Sequence, residues 1–166
     1  MKKFESLLLA FYFSFVGLFL IVNAGIPDTP VAVRPCPGVE SKASLVGVYI
    51  GNCTVAPCTF TKGQNVEMEM DIDFLQPVER LEAQLYALIF GAPVKWEGVN
   101  PEACEDIVSI PDTCPLRVGA YITYGVKFYV ERQYPTITTD VQYLLLDENG
   151  DTQICWIVRA SVKPAE

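Results

Sequence analysis

The chain has 166 residues, with 12 Lys and Arg against 20 Asp and Glu, six Cys and no His. A formal charge of −8 argues against nucleic acid or an anionic membrane surface as partner, since both need a basic face. The missing His excludes a Ser-His-Asp triad, a Cys-His pair and a His-ligated zinc, leaving carboxylate-only chemistry such as glycoside hydrolysis open by the count.

The chain opens with Lys2 and Lys3, then an apolar run from Leu7 to Val22 interrupted by Ser14 and Gly17. Sixteen residues fall short of the roughly 20 that a membrane span takes. The run ends at Val22-Asn23-Ala24, with small residues where a signal peptidase reads. Residues 1–24 are therefore expected to be a cleaved secretory signal, an uncleaved anchor being the alternative. Cleavage after Ala24 leaves one domain, 25–166, with 10 basic against 19 acidic side chains, a net of −9. The expected location is extracellular, with the lysosomal lumen as a second destination.

A first strand is expected around Leu45–Ile50. The sequon Asn52-Cys53-Thr54 follows, a candidate N-glycosylation site with a half-cystine at its centre. Next comes a nine-residue alternation: Val66, Met68, Met70, Ile72 and Phe74 on one face, Glu67, Glu69, Asp71 and Asp73 on the other. Period two means a strand with one buried and one wet face. The four acids suit a solvated strand surface better than a catalytic pair, and no enzymatic activity is expected. From Pro77 to Phe90 the apolar spacing fits a helix (Val78, Leu81, Leu85, Leu88) as well as a strand (Leu81, Ala83, Leu85, Ala87, Ile89). An all-β neighbourhood favours the strand. In the polar stretch Lys95-Trp96-Glu97-Gly98, a large aromatic has no bland explanation. A further strand puts Val118, Ala120, Ile122, Tyr124, Val126 and Phe128 on one side. Another follows with Ile137, Thr139, Val141, Tyr143 and Leu145. Asn149-Gly150 marks a turn, and Ile154–Val162 is the last strand.

Six Cys in an oxidising compartment read as three disulfides, with 15 possible pairings. Spacing narrows them. Cys53 and Cys58 can close a small loop, Cys104 and Cys114 flank a polar one, and Cys36–Cys155 remains to tie the two ends together. No close Cys pair or His supports a metal site, and no cofactor is expected.

Several stretches, in order, resemble the ML (lipid-recognition) domain family, which includes the soluble sterol carrier of Niemann-Pick type C disease and the mite group-two allergens. They are Cys53-Thr-Val-Ala-Pro-Cys58, Lys62-Gly63-Gln64, Gly91-Ala-Pro-Val94, Cys104 to Cys114-Pro115, Tyr134-Pro135-Thr-Ile137 and Cys155-Trp156. The family's pairing would be Cys36–Cys155, Cys53–Cys58 and Cys104–Cys114. The resemblance implies an all-β, immunoglobulin-like antiparallel sandwich of two sheets with an apolar cavity between them. It implies a lipid-binding and transfer protein that holds one apolar lipid, a sterol first, with fatty acids, other signalling lipids or microbial lipids as alternatives. A membrane lipid transporter or a receptor would be the acceptor. By the same resemblance Trp96 gates the slot, and Val130 and Tyr134 supply the facing wall. Alternation and alignment add Val66, Met68, Met70, Leu85, Leu88, Val94, Tyr124, Phe128, Tyr129, Val141, Tyr143 and Trp156. Three departures lie near the mouth: the loop Lys95-Trp-Glu-Gly-Val-Asn-Pro-Glu, Tyr129 in the usual place of a Pro, and nine residues between Cys104 and Cys114. They imply a kept sandwich whose lipid preference is altered.

Overall fold

The structure is a computed structural model that describes residues 29–109 and 111–165. The expected signal segment and its cleavage point lie outside the described residues. The elements are β1 (Arg34–Pro35), β2 (Ser44–Ile50), β3 (Cys58–Thr61), β4 (Asn65–Phe74), β5 (Glu82–Ile89), β6 (Ala92–Lys95), a 3-10 turn (Ala103–Asp106), β7 (Ala120–Tyr129), β8 (Thr138–Leu146) and β9 (Thr152–Lys163).

They form two sheets. The larger runs β1-β9-β8-β5-β6, with β3 also paired to β9; the smaller runs β2-β4-β7. Every pairing is antiparallel except β3 with β9. The period-two pattern selects the inner faces. Val66, Met68, Met70, Ile72 and Phe74 of β4 are buried beside Ile122, Tyr124, Val126 and Phe128 of β7. Ala83, Leu85 and Ala87 of β5 are buried beside Val141, Tyr143 and Leu145 of β8. The two faces pack as a sandwich.

The stretch from Pro77 is a strand from Glu82 onward, because β5 is hydrogen-bonded between β8 and β6. Leu88, which the helical spacing grouped with Leu85, therefore falls on the other face. Val118 is 67% exposed rather than buried. Gly119, at φ +75°, turns the chain just before β7 begins, and its N–H donates to the Phe74 carbonyl at 2.7 Å. Strand β9 is buried on both faces over most of its length. Its outer face is covered by a satellite cluster of Cys36, Cys155 and Ile157 with Leu88 and Leu144 packed on it. A strand covered on both sides reads as a continuous apolar run rather than an alternation. Disulfides join Cys36–Cys155, Cys53–Cys58 and Cys104–Cys114.

Candidate functional site

The long edges of the two sheets, β6 and β7, face each other across one side of the sandwich, and the chain between them closes that side. Residues 101–103 pair with the outer edge of β5: Ala83 N–H donates to the Pro101 carbonyl and Ala103 N–H to the Leu81 carbonyl, both at 3.0 Å. The chain then crosses through the 3-10 turn, pinned by Cys104–Cys114, to the edge of β7. There Ile107 bridges Tyr124 and Val108 N–H donates to the Thr123 carbonyl at 2.9 Å.

The rest of this side is closed by aromatic rings. Trp96 follows the last residue of β6 and is only 5% exposed. Its backbone N–H donates to the Leu85 carbonyl at 2.8 Å, fixing it to the larger sheet. Its indole N–H donates to the Tyr129 carbonyl at 3.3 Å, reaching the end of the smaller one. Edge-on contacts surround it, with centroids 6.2 Å to Phe60, 5.6 Å to Phe128 and 4.8 Å to Tyr134. Edge-to-face pairs of this kind contribute about 0.5–1.5 kcal/mol each beyond area burial. Val130 is wholly buried behind the cluster; its N–H donates to the Gln64 carbonyl and its carbonyl accepts from Gly63 N–H. Burial raises the half-buried Tyr134 phenol above its ordinary pKa, and the Glu131 and Glu97 charges add to the rise.

Beside Trp96 and Tyr134 is an apolar pocket of about 50 Å³, with walls from Ala87, Ile89, Val94, Ile137, Thr139 and Val162. Ligand pockets measure roughly 300–1,000 Å³, so this pocket is at most a vestibule, and the core behind it is filled by side chains. Thr139 brings no free polar atom to the wall, because its hydroxyl donates to the Leu88 carbonyl at 2.6 Å.

Of the wall residues expected from sequence, Val66, Met68, Met70, Tyr124 and Phe128 face inward from the smaller sheet. Leu85, Val141, Tyr143 and Trp156 face them from the larger. Val94 is 47% exposed and lines the small pocket beside Trp96. Leu88 and Tyr129 are corrections. Each is an odd-phase residue of its strand, so period two turns Leu88 onto the satellite cluster and leaves Tyr129 37% exposed. What Tyr129 brings to the site is its backbone carbonyl. Phe60 is the residue sequence reasoning missed. It lies in the four-residue β3, beside the Cys53–Cys58 bridge, too short to show a period.

Between the two sheets, hydrogen bonds join side chains of opposite inner faces. Tyr124 and Tyr143 reach across from opposite sheets and share a hydroxyl–hydroxyl hydrogen bond of 2.6 Å. Tyr143 stacks on Trp156 at 5.6 Å and 11°, and the Trp156 indole N–H donates to the Met70 sulfur at 2.9 Å. Burial pushes both phenols well above their ordinary pKa, and the Asp106 charge adds to both. Asp106 itself, on the crossing turn, is raised by desolvation, which outweighs the opposing hydrogen bond from Asn100.

A larger open cleft of about 620 Å³ lies under the Cys53–Cys58 loop, beside the exposed Asn52. Its lining mixes Asn52, Thr54, Thr59 and Gln64 with Ile50, Val55, Pro57 and Phe60. Its single charged side chain, Glu67, is paired with Lys127 at 2.6 Å. Glu69, Asp71 and Asp73 share the outer face of β4 with Glu67, away from the slot, and Asp71 accepts from the Thr123 hydroxyl at 2.8 Å. Among the described residues no group of His, Cys, Asp and Glu is placed to hold a metal.

A family model described as "ML domain" matches residues 30–162. The "NPC intracellular cholesterol transporter 2" of Sus scrofa is 24% identical over 150 residues, covering 88% of this chain and 94% of the pig protein. The "NPC intracellular cholesterol transporter 2 homolog a" of Drosophila melanogaster is 23% identical over 144 residues, covering 87% and 93%. Among solved structures, a Niemann-Pick type C2 protein from Japanese carpenter ant superposes with a TM-score of 0.70 at 22% identity. That match covers 80% of this chain and 99% of the ant chain. At that identity the match speaks for the shared fold.

Proposed function

The chain belongs to the ML domain family, and on that premise we propose that it carries one apolar lipid, a sterol first, between its two sheets. The observation that carries this reading is the aromatic closure. Trp96, Phe60, Phe128 and Tyr134 form a plug of rings at the edge of an interior that is otherwise aliphatic and aromatic. Protein interiors are close-packed, so a core that opens on one side through side chains rather than backbone can admit a guest by turning rings. Trp96 is held to the smaller sheet by one indole hydrogen bond, which is worth about 1 kcal/mol net. Swinging it out joins the vestibule to the space around Leu85 and Tyr143. Binding is then desolvation of an apolar guest, with few polar contacts. The names of the pig and fly relatives, which are cholesterol transporters, support sterol as the first ligand.

The same reading makes the protein a carrier rather than an enzyme, secreted after removal of residues 1–24. The three disulfides agree with an oxidising compartment. Secreted material should begin at Gly25, and an amidase that removes N-linked glycans should shift its mass unless Asn52→Gln has already done so.

Mass spectrometry of lipid extracted from the purified protein tests the reading directly, and one lipid per chain is expected. A delipidated protein that takes up neither a fluorescent sterol nor a long-chain fatty acid would overturn it. Trp96→Ala is expected to speed lipid release and weaken affinity by about tenfold, through loss of its edge-on contacts. Unchanged affinity for every lipid would remove Trp96 from the gate.

A further inference from the structure

Two strand edges border the open cleft under the Cys53–Cys58 loop. Among the described residues, β3 pairs only with β9, so its other edge has no strand beside it. β4 is paired to β2 only as far as Met68. One further bond, from Gly51 N–H to the Glu67 carbonyl at 2.8 Å, leaves the β4 edge at Asn65 without a neighbour. Unpaired edges invite another chain, and proteins cover them. The side chains here are also unspent. Among the described residues, Thr59, Gln64 and Asn65 line the cleft and make no side-chain hydrogen bond. Val55 in the lining is 79% exposed, while Ile50, Phe60 and Val66 are buried beneath the cleft.

Asn52, the sequon asparagine, belongs to the same lining. It is exposed, in a tight turn where Cys53 N–H donates to the Ile50 carbonyl at 2.8 Å. Gly51, at φ +45°, lets the chain reverse there. The Gly51 bond ties this turn to β4, and the Cys53–Cys58 bridge ties it to β3. A sugar on Asn52 therefore starts from a fixed point on the cleft wall. The cleft, about 620 Å³, is in the size range that takes a drug-sized ligand. The paired N-acetylglucosamine rings that begin an N-linked glycan are of that size.

We propose that the cleft is a carbohydrate site filled by the chain's own glycan: the core N-acetylglucosamine rings on Asn52 fold back into it and cover the free edges of β3 and β4. This rests on the reading of Asn52 as a glycosylated residue and gives that glycan its place. A pyranose ring is apolar on its C–H faces and polar around its periphery. The faces cover Val55 and the apolar floor, and the hydroxyls and acetamides meet Thr59, Gln64 and the Asn65 edge. The sugar is uncharged, and the one charge in the lining, Glu67, is neutralised by Lys127. Attachment makes the binding intramolecular, so contacts too weak to hold a free sugar hold this one.

The test uses the full chain secreted from a eukaryotic host and an amidase that removes N-linked glycans. Denatured protein should lose its glycan completely. Native protein should release it about tenfold more slowly, the scale of one well-made hydrogen bond broken before the amidase reaches Asn52. Thr59→Leu and Gln64→Leu each remove a polar partner and add no ring for a sugar to stack on. Each should raise the native rate severalfold without changing the mass of the glycan. If either does not fold, judged by its thermal unfolding, the other carries the same expectation. Hydrogen exchange adds an independent readout: amides in residues 58–67 should exchange more slowly in the glycosylated protein than in Asn52→Gln. Native release as fast as denatured, a rate unmoved by both leucine variants, or exchange unchanged by the glycan overturns the seated glycan and leaves glycosylation standing. Denatured protein whose mass the amidase does not change overturns both.

Discussion

At the scale of single residues, the structure pairs chemistry with position in ways that can be measured by stability. Asp106 is a carboxylate whose pKa is raised by desolvation. A raised carboxylate weakens folding at high pH. The contribution of this one group is most favourable below the ordinary carboxylate value of about 4, falls as pH climbs toward the folded-state value, and stays low above it. Asp106→Asn should therefore unfold at a higher temperature than the parent at neutral pH. The two melting curves should converge below about pH 4, where both side chains are neutral. Phe90, at the β5–β6 turn, is fully exposed and, among the described residues, is the one non-glycine residue at positive φ, +52°. Left-handed backbone costs an L side chain about 1–2 kcal/mol, and burial returns nothing here. Phe90→Gly should raise the unfolding free energy measured with denaturant by an amount of that order, less the entropy of a freer unfolded chain. Sequence reasoning could not see either feature. Asp106 is one acid among 20, and its burial depends on a crossing segment that no local period describes. The inward residues of β4 and β7 were legible because alternation is a property of the strand itself. Leu88 and Tyr129, expected at the wall from alternation and alignment, sit on the opposite face of their strands from Ala87 and Phe128.

At the scale of elements, the long alternating strands were readable and the short ones were not. β4, β7 and β8 each carry nine or ten residues, enough for a period to show. β1, β3 and β6 have two to four, and β6 is exposed along its whole length. These short strands hold their places through pairing with β9 and β5, which no local pattern reveals. The turn between β8 and β9 was legible from Asn149-Gly150, but its anchor was not. Asp147 is 8% exposed. Its Oδ1 accepts the backbone N–H groups of Asn149 and Asp151, both at 2.9 Å, and its Oδ2 accepts the buried Gln153 amide at 2.8 Å. Asp147→Ala would leave that amide and two backbone donors short of partners. A loss of about 2–3 kcal/mol is expected in denaturant unfolding, since each unmet buried group costs about 1–3. A change within experimental error would show that water replaces the carboxylate there.

At the scale of the whole molecule, the two sheets are unequal. The smaller has three strands and the larger six, and two of the three disulfides, Cys53–Cys58 and Cys104–Cys114, close short loops at the periphery. Cys36–Cys155 is different: it spans 119 residues and sits on the outer face of the larger sheet. In the chain-entropy account, a closed loop of that size contributes about 4–5 kcal/mol. The double variant Cys36→Ala/Cys155→Ala should lose stability of that order in chemical denaturation. The architecture was legible because three disulfides and regular strand spacing leave few alternatives to a sandwich. How tightly the interior is filled was not legible, because packing depends on which rings meet across the sheets.

The sequence contains two tryptophans, and the fold stations them at opposite ends of one row, Trp96, Leu85, Tyr143 and Trp156, across the larger sheet. Trp96 stands at the edge among three other rings, and Trp156 lies in the core, stacked on Tyr143 and bonded to sulfur. The molecule thus carries its own optical depth gauge. With Trp156→Phe the remaining emission reports the ring cluster at the edge, and with Trp96→Phe it reports the core. On the carrier reading proposed above, a stopped-flow record of the two signals would separate events at the edge from events in the core without any added dye.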